Sequence, residues 1–101
     1  MSSEKITVIV DKDLEDLIPG FMQRRRGDVE SLKASLSAGE MDKIRVTGHS
    51  MKGTGGGYGF DDLSTIGAEL EKAAVAGDSE EISALVNRLE QYLDKVVIEF
   101  E

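Results

Sequence analysis

The stretch GHSMKGTGGGYGF, residues 48–60, contains the side chains best suited to chemistry in this chain. It includes His49, which is the one histidine of the sequence, Lys52 three positions later, and six of the eleven glycines. An imidazole is largely neutral near pH 7 and keeps a nitrogen lone pair, so it can act as a base, a metal ligand or a nucleophile. A lysine one helical turn away can pair with an anion that the imidazole carries.

Three common kinds of site do not fit this stretch. The sequence has no cysteine and one histidine, so a zinc site would need carboxylates for its other ligands. A hydrolase triad needs a nucleophile that converges with the histidine, and Ser50 would lie about 100° around a helix from His49. The glycines match neither G-x-x-x-x-G-K-[ST] nor G-x-G-x-x-G, so no nucleotide-binding loop is indicated. A histidine that attacks phosphorus and itself carries the transferred group is the interpretation that fits.

Composition limits the partners and the size of the fold. A chain of 101 residues is long enough for one domain with one core. Its net charge of −8 repels nucleic acid and anionic lipid, so we expect neither as a partner. An apolar run of five residues near the start is too short for a signal peptide or a membrane span. With no cysteine, these features favour a cytoplasmic protein.

Apolar residues recur at steps of three and four through most of the chain, which predicts amphipathic helices. The predicted helices run from Pro19 to about Gly39, from Met41 to about Tyr58, from Asp61 or Asp62 as N-cap to Gly77, and from Asp78 through Val96 and Phe100. Short connections favour antiparallel neighbours. The sequence therefore predicts an all-α fold, an antiparallel up-down four-helix bundle.

Two shorter segments precede the bundle in this interpretation. A brief extra helix is predicted over Leu14, Leu17 and Ile18, and Ile6–Val10 is expected to form an extended arm. We divide the chain into an N-terminal arm at residues 1–10 and a single domain at residues 11–101.

The direction of His49 depends on whether the glycines interrupt the second helix. If the helix ended at Lys52, GTGGGYG would be a flexible connector, which is the usual role of a glycine cluster. Met51, Gly55 and Tyr58 keep the core spacing, however, and favour a helix that continues. His49 then lies about 130–140° from the core stripe, on the solvent side, and Lys52 lies on the flank. The same exposed face includes Val46, Gly53, Gly56 and Gly57.

Glycines inside a helix need a reason, because each costs about 0.5–1 kcal/mol relative to alanine. We interpret the glycine face as a surface that a second protein approaches closely. A convex helix offers no cavity for a substrate, so the partner must supply the rest of the active site. The basic run Arg24-Arg25-Arg26 is interpreted as a solvated helix face, with an accessory docking patch as the alternative.

The pentapeptide HSMKG, residues 49–53, resembles the H-x-x-K-G signature of histidine phosphotransfer (HPt) domains, the helical intermediates of two-component phosphorelays. Residues 17–44 resemble the first long helix of that family and its turn, and residues 57–78 resemble the helix that follows the signature. The resemblance extends over about residues 11–100. With these flanking patterns, the signature is strong.

The resemblance implies that His49 accepts a phosphoryl group from a receiver-domain aspartyl phosphate and passes it to another receiver aspartate. It gives Lys52 the role of charge partner to the phosphoryl group, and it places Gly53 and Gly56 on the docking face. Some members have a glutamine on the next helix that hydrogen-bonds the imidazole. Glu71 stands at that position here, and a carboxylate there would orient the ring but would also repel a phosphate.

The resemblance also implies the partners and the cofactors. The partners are response-regulator receiver domains and a hybrid sensor histidine kinase, and the protein is expected to be a monomer. It would need no cofactor and no metal of its own, because the receiver supplies the magnesium ion. It would be a phosphocarrier and not an enzyme, since 101 residues leave no room for the nucleotide-binding domain of a kinase. The alternative is an adaptor that docks receivers without chemistry.

Overall fold

The computed structural model describes residues 4–101, and within that range four α-helices, one 3₁₀ helix and two short strands are present. The elements are β1 (Ile6–Val10), the 3₁₀ helix (Lys12–Leu17), α1 (Ile18–Ala38), α2 (Met41–Tyr58), α3 (Asp61–Ala76), α4 (Ser79–Lys95) and β2 (Val96–Phe100). Consecutive helices are joined by two residues each, which makes neighbours antiparallel. Helix α4 also packs against α1 and closes the bundle. The predicted all-α four-helix bundle with a short extra N-terminal helix is confirmed.

The core of the bundle is built from the apolar stripe of every helix. Regular spacing at three and four residues brings these side chains to one face of each helix, where water is excluded. The largest fully buried side chains are Phe21, Phe60, Leu32, Ile44, Met51, Leu63, Ile66, Leu70, Ile82, Leu89, Leu93 and Val10.

Glycines with positive φ end the first three helices. Gly39, Gly59 and Gly77 have φ of 71°, 90° and 68°, the left-handed conformation that terminates a helix at low cost for glycine. The predicted stop at Gly77 is confirmed. The next helix begins as predicted, because the Asp78 carboxylate accepts a hydrogen bond from the Glu81 N–H at 3.1 Å.

The predicted N-cap of α3 at Asp61 or Asp62 is wrong. Phe60 occupies the cap position, and its ring is fully buried and lies 5.1 Å from the ring of Phe21. Burial of this ring thus fixes where the helix starts. Asp61 and Asp62 fall in the first turn, where negative charge interacts favourably with the helix dipole.

The last predicted helix is too long, because α4 ends at Lys95 and the following five residues form a strand. Val96 and Phe100 are four residues apart, and that spacing fits both a helical stripe and a strand with alternating faces. Strand β2 runs parallel to β1, with Ile6 opposite Val96 and Val10 opposite Phe100.

The segment expected to be an arm is extended, and it is tied to the bundle through this strand pair. Val10 is 1% exposed and lies in the core, and its carbonyl accepts a hydrogen bond from the Glu101 N–H at 3.1 Å. The described part of the arm therefore shares its core with the helices. Residues 1–3 of the predicted arm lie outside the described range.

Candidate functional site

The site is built on α2, whose backbone lies directly against the backbone of α3. A Cβ atom on Gly48 would lie 2.7 Å from the Gly67 carbonyl oxygen, and one on Gly67 would lie 2.5 Å from the Lys52 nitrogen. Further along α2, a Cβ on Gly55 would lie 2.8 Å from the Ser64 nitrogen. Ordinary side chains do not fit at such distances, so these three glycines permit the helices to touch.

Close approach of the helices places Glu71 beside His49. The Glu71 nitrogen is 2.8 Å from the position of a Cβ on Gly48, the residue that precedes the histidine. Across this contact the Oε2 atom of Glu71 lies 3.1 Å from Nδ1 of His49. The histidine side chain is 69% exposed and the glutamate side chain is 25% exposed. One carboxylate oxygen thus reaches the ring from behind while the ring projects into solvent.

This contact decides which ring nitrogen is available for chemistry. An ionised carboxylate can only accept hydrogen bonds, so Nδ1 carries the hydrogen and donates it to Glu71. In the neutral ring, Nε2 then keeps the lone pair. The lone pair is therefore on the ring nitrogen that does not contact Glu71.

Lys52 is exposed one turn beyond His49 on the same helix. Within residues 4–101 its ammonium group has no ion-pair partner, so its charge is available to an incoming anion. Its backbone is fixed, because the Ser64 hydroxyl donates a hydrogen bond to the Lys52 carbonyl at 2.8 Å.

The helix continues through the glycines to Tyr58, as the core spacing predicted. Val46 is 52% exposed on the outer face. Apart from the adjacent backbone of α2, a Cβ on Gly53 or Gly57 would meet no described atom within 4 Å, and one on Gly56 would lie 3.7 Å from the Ser64 hydroxyl oxygen. The structure thus gives the expected glycine face an open surface.

Packing against α1 supports this glycine-rich half of α2. Residues 53–57 include four glycines, which together cost roughly 2–4 kcal/mol of helix stability relative to alanine. The ring of Tyr58 stacks on that of Phe21 with centroids 4.5 Å apart. One turn further along α1, Nη1 of Arg25 donates a hydrogen bond to the Thr54 hydroxyl at 2.8 Å. Tertiary contacts therefore offset the low helix propensity of the glycines.

The interpretation of Arg24-Arg25-Arg26 as one solvated face is wrong for Arg25. Its side chain is buried, its Nε forms an ion pair with Asp28 at 2.8 Å, and its guanidinium lies 5.2 Å from the Phe21 ring centroid. Arg24 is exposed, and Nη2 of Arg26 donates to the Leu93 carbonyl at 2.9 Å. The three arginines thus have separate environments and form no continuous basic patch.

Sequence reasoning missed Arg25 as a neighbour of the site, although one signal was present. Arg25 occupies a step of the three-four stripe of α1, between Met22 and Val29. A charged residue in an apolar stripe predicts a buried charge with a partner. The partner is Asp28. Burial raises the pKa of the Asp28 carboxyl, and this effect is larger than that of the charge and hydrogen bond of Arg25, which lower the pKa.

For the residues that the structure describes, no helix is long and apolar enough to cross a membrane. In the same range, no group of three or more histidine, aspartate and glutamate side chains is arranged to hold a metal ion.

The exposed histidine, the carboxylate behind it and the lysine one turn away lie in a stretch of sequence that matches a known family. The family model described as Hpt domain matches residues 16–97. The chain belongs to the Hpt domain family. No curated protein and no solved structure matches it significantly. Membership in this family confirms the resemblance seen at residues 49–53 and supports a role in phosphotransfer within two-component relays.

Hpt domains are phosphocarriers that lack kinase activity, and they interact with receiver domains in phosphorelays. The matched range of this Hpt domain includes all of α1, α2, α3 and α4. Both helices that form the candidate site therefore lie inside the family match.

Proposed function

We propose that this Hpt domain is a phosphocarrier in which His49 accepts a phosphoryl group from the aspartyl phosphate of one receiver domain and passes it to the aspartate of another. The observation that carries the proposal is the 3.1 Å contact between Nδ1 of His49 and Glu71 on a ring that is 69% exposed. It leaves Nε2 as a nucleophile directed toward a partner.

The transfer is a displacement at phosphorus. The Nε2 lone pair of His49 forms the new N–P bond while the P–O bond to the receiver aspartate breaks. The electron pair of the broken bond leaves with the aspartate carboxylate, and Nδ1 keeps its proton. The phosphorylated ring is therefore cationic, and the Glu71 carboxylate stabilises that charge from the side opposite the phosphoryl group. Transfer to the second receiver reverses these steps.

Lys52 and the glycine face have complementary roles in this proposal. The lysine lies one turn from His49, and its ammonium group can donate charge-assisted hydrogen bonds to the phosphoryl oxygens. Val46, Gly53, Gly56 and Gly57 form the docking face, where missing side chains let the receiver bring its aspartate close enough for bond formation. The receiver supplies the magnesium ion that neutralises the transferring phosphoryl group.

The proposal includes the setting in which the carrier works. Its partners are response-regulator receiver domains and a hybrid sensor histidine kinase, and it acts as a monomer in the cytoplasm. The net charge of −8 disfavours nucleic acid and anionic membranes as competing partners.

Phosphorylated receiver domains from the source organism, with magnesium, provide the test. Wild-type protein should acquire an acid-labile label, and the His49→Gln variant should acquire none. Ser50→Ala changes the exposed neighbour of His49 and should be labelled like wild type. Label on His49→Gln, or no label on wild type with any receiver, would refute the carrier. A docking adaptor would bind receivers in the same experiment without becoming labelled.

A further inference from the structure

Two side-chain hydroxyls bind backbone carbonyls of α2 on either side of Met51. The Thr54 hydroxyl donates to the Ser50 carbonyl at 3.0 Å, and the Ser64 hydroxyl of α3 donates to the Lys52 carbonyl at 2.8 Å. Arg25 of α1 donates in turn to the Thr54 oxygen at 2.8 Å. The turn of α2 that connects His49 with Lys52 is thus held from both neighbouring helices.

We propose that Arg25 is a positioning residue for phosphotransfer, acting through Thr54 to keep this turn of α2 in the geometry that aligns Lys52 with His49. This inference rests on the proposed function, since it concerns the same phosphoryl acceptor. It adds a residue on a third helix, outside the signature and the docking face.

The Thr54 hydroxyl accepts a hydrogen bond from Arg25 and donates one to the Ser50 carbonyl. A hydroxyl has one hydrogen to donate and two lone pairs with which to accept. With the Arg25 N–H on the oxygen, the hydroxyl hydrogen of Thr54 is directed to another acceptor, and the Ser50 carbonyl lies 3.0 Å away. The arginine therefore adds a second restraint on the Thr54 rotamer that makes the extra bond to the backbone.

The guanidinium itself has little freedom to move. Arg25 is 8% exposed as a residue, its Nε pairs with Asp28 at 2.8 Å, and its guanidinium lies over the Phe21 ring. The planar guanidinium has several N–H groups and can bind Asp28 and Thr54 at once, which the single ammonium group of a lysine does less well. The contacts therefore connect α1 to the glycine-rich part of α2.

Flexibility of α2 is what makes such a support necessary. Four of residues 53–57 are glycine, so the backbone just beyond Lys52 has many conformations available when it is not held. Helix α3 offers a contrast with the same hydroxyl bond. Thr65 donates to the Asp61 carbonyl at 3.1 Å, and no arginine among the described residues donates to it. Thr65 is therefore a matched control for the Thr54 hydroxyl.

The experiment compares Thr54→Val with Thr54→Ser and Thr65→Val. Valine keeps the branched shape and loses the hydroxyl, whereas serine keeps the hydroxyl. We expect Thr54→Val to accelerate amide hydrogen exchange in residues 54–58 by about fivefold to tenfold, the loss of roughly one hydrogen bond. Exchange in α4 should not change. Thr54→Ser should restore wild-type exchange, and Thr65→Val should leave residues 54–58 unaffected.

Chemical phosphorylation with phosphoramidate reports on His49 without a receiver. In that reaction Nε2 forms the N–P bond as the N–P bond of the donor breaks, and the donor nitrogen, which is already protonated in the zwitterionic reagent, leaves with the electron pair as ammonia. Displacement of Lys52 should slow labelling of Thr54→Val by roughly threefold, and transfer from a receiver should slow by a similar factor. Thr54→Ser should again behave like wild type. Arg25→Lys should resemble Thr54→Val.

The outcomes separate this inference from the proposed function. If no receiver labels wild type but phosphoramidate labelling falls in Thr54→Val and recovers in Thr54→Ser, the positioning role stands and the carrier proposal fails. If Thr54→Val exchanges faster but is labelled at the wild-type rate, the contact supports the fold and the positioning role is refuted. Unchanged exchange in Thr54→Val would refute it as well.

Discussion

The glycines of α2 have opposite surroundings on the two faces of the helix. Gly48 and Gly55 are buried, and an added Cβ would lie within 2.8 Å of the α3 backbone at either position. Gly53, Gly56 and Gly57 are exposed, and apart from the adjacent backbone of α2 no described atom lies closer than 3.7 Å to an added Cβ. One helix thus uses the same residue type twice, to bring Glu71 up behind the histidine and to clear the surface in front of it.

The largest effect on stability should follow from adding a methyl group to a glycine in the buried contact between α2 and α3. Gly67→Ala places a Cβ 2.5 Å from the Lys52 nitrogen and 2.7 Å from the Gly48 oxygen, and both atoms are backbone and cannot move aside cheaply. We expect the free energy of unfolding to fall by about 2–4 kcal/mol. Urea unfolding followed by circular dichroism measures this change.

Gly27→Ala is the matched control for that substitution. Gly27 lies within α1, and apart from the adjacent backbone of that helix an added Cβ there would meet no described atom within 4 Å. Alanine should therefore raise the free energy of unfolding by about 0.5–1 kcal/mol through helix propensity. If the urea midpoint of unfolding of both alanine variants equalled or exceeded that of wild type, the backbone contact between α2 and α3 would be wrong.

On the exposed side, a large residue should affect transfer and leave the fold intact. Gly53→Arg fills open space on the docking face, so we expect phosphotransfer from a receiver to slow by about tenfold or more, a loss of ~1.4 kcal/mol. Labelling by phosphoramidate should change much less, because the small donor needs no docking face. Wild-type transfer rates in Gly53→Arg would show that receivers do not approach this surface closely.

Much of this contrast could be predicted from residue spacing. Met51, Gly55 and Tyr58 keep the helical core register through the glycines, and the same spacing places His49 on the outer face. These features depend on one helix alone, and helical periodicity describes a single helix well. The two-residue connections likewise fix antiparallel neighbours.

Features that depend on two elements at once were harder to predict. The contact of Gly48 with Gly67 depends on which faces of α2 and α3 meet, and the bond from Arg25 to Thr54 joins residues 29 positions apart. The strand at Val96–Phe100 was mistaken for helix because a spacing of four satisfies both periods. Tertiary packing overrode local pattern in each case.

A smaller effect should result from changing the carboxylate that the buried glycines bring to the histidine. Glu71→Ala removes the acceptor 3.1 Å from Nδ1, so the ring loses both its orientation and the stabilisation of its charge. We expect single-turnover transfer to slow by about fivefold to tenfold, corresponding to roughly 1–1.4 kcal/mol. Glu71→Gln keeps an oxygen acceptor and should retain more of the rate. Equal rates in both variants and wild type would contradict a role for Glu71.

The smallest predicted effect concerns the contact between α4 and the start of α3. This contact is filled by the large ring of Tyr92, whereas the contact between α2 and α3 is formed by glycines. Tyr92 is 5% exposed, and its hydroxyl has no hydrogen-bond partner in the part of the chain that the structure describes. Burial, followed by the charges of Asp62 and Asp61, raises the pKa of Tyr92 from 10.0 to about 12. The neutral form is therefore favoured in the folded state. Its contribution to stability is complete below pH 10 and is lost as the pH rises toward 12.

Tyr92→Phe isolates this contribution, because phenylalanine keeps the ring and cannot ionise. Between pH 8 and pH 10.5, the free energy of unfolding of wild type should fall by about 0.8 kcal/mol more than that of the variant. Urea unfolding at the two pH values measures the difference, and absorbance at 295 nm should show that the variant lacks the ionisation near pH 12. Parallel pH dependence in the two proteins would mean that Tyr92 is solvated. In that case the contact between α4 and the start of α3 would be looser than the glycine contact between α2 and the middle of α3.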